Sequence, residues 1–204
     1  MSHDRPVEIK TLLFISGFTI LSLEILGIRI LAPYIGSTIP VWAAVVGIPL
    51  FGSAVGYYGG GILADRVQRK EILVWLAAAA SVYIALIPAL RGVVGIVAPH
   101  VSYGVSAIIG ASSLFLVPIT LLSALTVYVI RIFVKSLDSI GQTHGDLYAL
   151  ATVGSVVGVF GTSYLLIPFF TIPHILYALG ALVVLSSLRV YMAPYGERSK
   201  TNAG

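Results

Sequence analysis

Two charged residues in an otherwise apolar stretch, Glu24 and Arg29, raise the first question of chemistry. Both fall in a run from about Thr11 to Ala32, and a bilayer-spanning helix needs about 20 mostly apolar residues. At a rise of 1.5 Å per residue, Glu24 lies about 20 Å along that helix from Thr11, at hydrocarbon depth. A carboxylate there costs about 2.5 kcal/mol or more, so it must be paired, protonated or wetted. Ser16, Gly17 and Gly27 share its side of the helix, which turns it toward protein rather than lipid. Such a group offers proton coupling or cation binding; the plainer role is a hydrogen bond to a neighbouring helix. Arg29 sits five residues on, about 140° around the helix, so the two do not meet head-on. It is close enough to the outer surface to snorkel.

A second set is Ser112, Ser113, Thr120 and Ser123, which fall within an arc of about 100° on one helix. They could line a polar path, bond back to their own helix, or glue two helices together. A third is the charged turn Asp65, Arg66, Arg69, Lys70 and Glu71 between two apolar runs. No nucleophile with a matching base and no paired acids stand out, which disfavours a membrane-embedded enzyme. The four histidines (His3, His100, His144, His174) lie near helix ends or in the leading tail without metal-ligand spacing. With no cysteine, thiol chemistry and Cys-ligated metal are excluded. Gly56-Tyr57-Tyr58-Gly59-Gly60-Gly61 is no nucleotide loop, because no soluble strand precedes it. No cofactor and no metal are expected.

The elements that must position these residues follow from composition. Of 204 residues 58% are hydrophobic and only 10% charged, with a mean hydropathy of +1.01. A soluble domain carries about 25% charge, so a soluble domain, a disordered chain and a nucleic-acid reader are excluded. Asn occurs once (Asn202) and Gln twice (Gln68, Gln142), a scarcity that fits a thermophile. Apolar runs at about 11–32, 41–63, 72–90, 103–132, 147–167 and 173–191 predict six transmembrane helices in one membrane domain, residues 1–192. Residues 92–102 read as an outer loop with a short interfacial helix, and 135–146 as a polar link. Residues 193–204 read as a polar tail. The fourth helix is long enough to tilt or to kink at Pro118. Glu24, and the lack of a small-x-small site, speak for a retained first helix rather than a cleaved signal peptide.

Lys and Arg set the orientation. Arg5, Lys10, Arg66, Arg69, Lys70, Arg131, Lys135, Arg189, Arg198 and Lys200 fall on one side, and Arg91 on the other. Positive residues stay inside, so both termini are expected in the cytoplasm of a multi-pass cell-membrane protein. The net charge of +4 then speaks to anionic lipid head groups rather than to nucleic acid. Helices in lipid associate through close backbone packing and a few polar bonds. Gly52, Gly56 and Gly59 form one small-residue groove, and Ala151, Gly154, Gly158 and Gly161 a second. These serve packing within the chain, self-association, or sliding during a transport cycle.

Three stretches resemble the membrane domain of fused major-facilitator/spermidine-synthase-like proteins. They are Ser16-Gly17-Phe18 with Glu24 and Arg29 through Ser37, Gly56 through Arg66, and Gly145-Asp146-Leu147-Tyr148-Ala149-Leu150 continuing to Pro168. The resemblance implies an all-α bundle of six transmembrane helices, like half of a major facilitator fold. Gly61, Asp65, Arg66, Arg69 and Lys70 also resemble the loop signature of major facilitator transporters, which implies a gating role for Asp65, Arg66 and Arg69. A topogenic charged turn is the plainer role. Two departures stand out. Family members usually carry Asn in the fifth-helix Tyr motif, where this chain has Ala151. No aminopropyltransferase domain follows Tyr191, so this polypeptide alone is not expected to make spermidine. The expected function is transport or small-molecule binding, with polyamines or other organic cations as ligands and a homodimer or a partner completing the path. The alternative is a membrane anchor or scaffold for a separate spermidine-synthase-like enzyme.

Overall fold

The computed structural model describes residues 7–133 and 140–193 and contains only helices and short turns there. The elements are α1 (Val7–Ile35), α2 (Ile39–Arg66), α3 (Glu71–Val97), α4 (Tyr103–Ala111), α5 (Val117–Phe133), α6 (Ile140–Phe160), α7 (Ile167–Phe169) and α8 (Ile172–Met192). Together α4 and α5 form one rod and α6 and α7 another, each joined by a π-helical turn. Among the described residues six helices are long and apolar enough to cross a membrane: Val7–Ile35, Ile39–Arg66, Glu71–His100, Tyr103–Ile132, Gly145–Phe169 and Ile172–Met192.

Both π turns end two residues before a proline. Ser112–Leu116 precedes Pro118 and Gly161–Leu166 precedes Pro168. A proline ring inside a helix clashes with the carbonyl four residues back. Those carbonyls belong to Leu114 and Tyr164, and each lies inside a widened turn. The Ile167 amide accordingly bonds to Thr162 O, five residues back. The disturbance expected at Pro118 is thus a local widening of the helix.

Helix ends differ from the sequence reading in one place of substance. The expected outer loop at 92–102 is largely helix: α3 runs unbroken to Val97, and a 3₁₀ turn covers Ala98–His100. Arg91 is the expected stop, with Gly92 opening the loop. A single glycine costs a helix only about 1 kcal/mol, and the buried Val94 anchors the extra turns. The polar link is also shorter than expected, because α6 begins at Ile140. The expected charges at Arg5, Lys135, Arg198 and Lys200, together with His3, the His144 side chain and the tail 194–204, lie outside the described residues.

The bundle is held by three long pairings, α2 with α5, α1 with α6 and α3 with α8, tied across by α3 on α5 and α1 on α8. In the Tyr103–Ile132 rod 67% of the apolar window is buried, in α1 56%, and in Gly145–Phe169 only 17%. The centre is therefore α1 and the α4–α5 rod, and α6 is an edge helix resting on α1. Fully buried Leu12, Leu23, Leu26 and Leu31 of α1 meet a core that includes Phe115, Ile119, Leu122 and Leu125.

Candidate functional site

Glycine ridges set the spacing of the edge helices. On α2 a side-chain carbon added at Gly52, Gly56 or Gly60 would press on Leu116 O of the π turn, or on Thr120 O or Ala124 O of α5. Two of the three expected groove residues hold this seam. The third, Gly59, points into open space, and Gly60 takes its place. The cause is register: two straight rods packed side by side meet along rows four residues apart, and 52, 56, 60 match 116, 120, 124. On the other edge, Gly154 and Gly158 of α6 abut Phe14 O and Phe18 O of α1, while Gly17 of α1 abuts Ala151 O. Gly161 makes only ordinary contact with the Phe18 ring. Polar bonds lock this second seam: Ser155 Oγ donates to Gly17 O (3.1 Å) and Thr162 Oγ1 to Ser22 Oγ (2.8 Å).

Between these two edge helices lies a cleft of about 310 Å³, floored by α1 and α5 and walled by α2 and α6. Glu24 lies on its floor, partly buried, on the same face of α1 as Gly17. It makes no hydrogen bond or ion pair with any described residue. No Lys, Arg or His lines the cleft, and Glu24 is its one acid. The α2 wall contributes Ser53 and Tyr57, and the α6 wall Tyr148, Thr152 and Ser155.

The other expected site residues fall elsewhere. Arg29 is exposed on α1 and does not line the cleft. The serine and threonine row of the fourth rod does not form a path. Ser113 Oγ donates to Gly110 O (3.0 Å) and Thr120 Oγ1 to Leu116 O (2.7 Å), both within the rod. Ser123 Oγ bonds across to Ser53 Oγ at 3.1 Å, gluing α5 to α2, and Ser112 stays partly buried outside the cleft. The charged turn does come together as a unit. Asp65 Oδ1 accepts from Arg131 Nε at 2.8 Å, with both side chains well exposed, and Arg66 and Arg69 are exposed beside it.

Tyr128 was not anticipated from the sequence. It is fully buried, its hydroxyl faces Val67 O (2.6 Å) and Arg69 O (2.9 Å), and it accepts from the Arg69 amide at 3.2 Å. One side chain of α5 thus satisfies the backbone of the α2–α3 turn. No feature of the local sequence marks it out, because its partners are main-chain atoms of another segment. The hydroxyl-bearing lining of the cleft was missed too, although Tyr57 and Tyr148 stand in two of the stretches that carried the family resemblance. No known family model, characterised protein or solved structure matches this chain.

Proposed function

We propose that the chain is a multi-pass membrane protein that binds a small organic cation in the cleft between α2 and α6, and that Glu24 is the group that meets it. The observation that carries this reading is a single acid on the floor of an open cleft with no partner among the described residues. A partly buried carboxylate without a neighbouring counter-charge favours the arrival of one. On this reading Lys10, Arg66, Arg69, Lys70, Arg131 and Arg189, which the alternation of helices gathers at one end, mark the cytoplasmic side.

A bundle like half of a major facilitator encloses no complete path, so transport calls for a second copy or a partner closing over the α2–α6 face. Polyamines enter as candidates through the family resemblance. Position 151, where family members usually carry Asn, lines the same cleft, which fits a ligand site tuned there. The test is uptake of labelled organic cations into proteoliposomes. Saturable uptake that falls by about tenfold or more in Glu24→Gln supports the reading, in line with the cost of losing a charged partner. Flux indifferent to that change removes it.

A scaffold reading is favoured by one observation, the fixing of the basic α2–α3 turn by Tyr128 and Arg131. It expects no flux and a soluble enzyme that copurifies from native membranes and is released by Arg66→Glu with Arg69→Glu.

A further inference from the structure

The cleft also carries information about which cation it takes. Resting on the reading that Glu24 meets a cation, we propose that its ligand is an amphiphilic organic cation with one positive charge on an apolar body, not a polyamine.

Three features of the lining argue for this. Charge comes first: Glu24 is the one acid and there is no base, so the cleft neutralises a single positive charge. A polyamine would bring further ammonium groups among Ile20, Leu21, Leu50 and Ala54 with nothing to pair them. An uncompensated charge in such surroundings costs several kcal/mol.

Hydroxyl polarity is the second feature. Thr126 Oγ1 donates to Leu122 O (3.0 Å), Thr152 Oγ1 to Tyr148 O (2.9 Å), and Ser155 Oγ to Gly17 O (3.1 Å). With these protons directed at helix carbonyls, the oxygens keep lone pairs for whatever occupies the cleft. These three acceptors beside a carboxylate suit a cation better than an anion, while the Ser53, Tyr57 and Tyr148 hydroxyls can turn to donate or accept.

The third feature is the pair of rings. Tyr57 and Tyr148 enter from opposite walls, each under half exposed. Aromatic faces hold a cation by about 0.5–2 kcal/mol and welcome an apolar body besides. A volume of about 310 Å³ lies at the lower end of the range for drug-sized ligands.

The experiment uses the full chain in nanodiscs and measures binding of tetraphenylphosphonium. Spermidine serves as competitor, and binding of tetraphenylborate, an anion of the same shape, is measured in a separate sample. The expected result is saturable phosphonium binding that spermidine does not displace at equal concentration, and no saturable binding of the borate. Glu24→Gln should weaken it by about tenfold or more, and Glu24→Asp should recover part of the loss. Competition is read on the unchanged protein, so it does not depend on either variant folding. Displacement by spermidine at equal or lower concentration overturns the single-charge proposal and leaves cation binding standing. Binding of tetraphenylborate as strong as that of the phosphonium shows mere apolar association and overturns it as well. If the unchanged protein binds neither phosphonium nor spermidine, cation binding at Glu24 itself is wrong.

Discussion

The two edge helices are fastened by the same device and then secured differently. Both lay glycines on the backbone carbonyls of a central rod, Gly52, Gly56 and Gly60 on the α4–α5 rod and Gly154 and Gly158 on α1. Beyond that, α2 has one bond at mid-length, Ser123 to Ser53, and is tied mainly at its end, where Arg131 pairs with Asp65 and Tyr128 grips the turn that follows. The other edge, α6, is bonded along its length, by Ser155 to α1 and, from the π turn beyond it, by Thr162 to Ser22. Close backbone approach therefore supplies the attachment in both, and polar bonds decide where each helix is held. The cleft opens between a helix anchored mainly at its tip and one anchored along its flank.

That contrast can be broken most severely at the glycines. Gly56→Leu and Gly154→Leu should each leave little folded protein, because even a methyl group there meets a main-chain oxygen, and overpacking by one methylene step already costs about 1–3 kcal/mol. Size-exclusion profiles in detergent check this. Tyr128→Phe comes next. It leaves the Val67 carbonyl and the Arg69 amide without their partner, a loss of about 1–3 kcal/mol read as a lower melting temperature. Thr162→Val should cost about 0.6 kcal/mol, the average for a hydrogen bond between membrane helices, and hydrogen exchange should rise in α6 while α2 is unchanged. Arg131→Ala should be near neutral, within about 1 kcal/mol, because the pair with Asp65 is 58% and 61% exposed. Smallest of all, Gly59→Leu should stay within about 0.5 kcal/mol, since that glycine faces open space. Equal damage at Gly59 and Gly56 would undo the register on which the contrast rests.

How much of this was legible depended on the kind of signal. Six apolar runs and their charged ends predict the helices well, because length and hydropathy are properties of each segment alone. Glu24 stood out for the same reason: an acid is conspicuous wherever it sits in an apolar run. What the sequence hid was relational. Gly59 and Gly60 are adjacent, and only the position of α5 says which one touches it. Ser113 and Thr120 resemble a polar stripe until their bonds to carbonyls one turn back are seen. The end of α3 lies beyond the expected one because Arg91 reads as a stop in isolation, whereas tertiary packing of Val94 outweighs it. Tyr128 carried no mark at all, since its partners are main-chain atoms of another segment.

The widened turns have a consequence for length. A π turn houses one residue more than a regular helix would use, so the segment beyond it is rotated by about 100°. Losing a single residue from Ser112–Leu116 would swing Tyr103–Ala111 round by that angle and turn Gly110 away from Leu31, which it now abuts. The tally of residues between Tyr103 and Pro118 is thus as much a structural specification as their identity, and a chain one shorter there would have to redesign its neighbours.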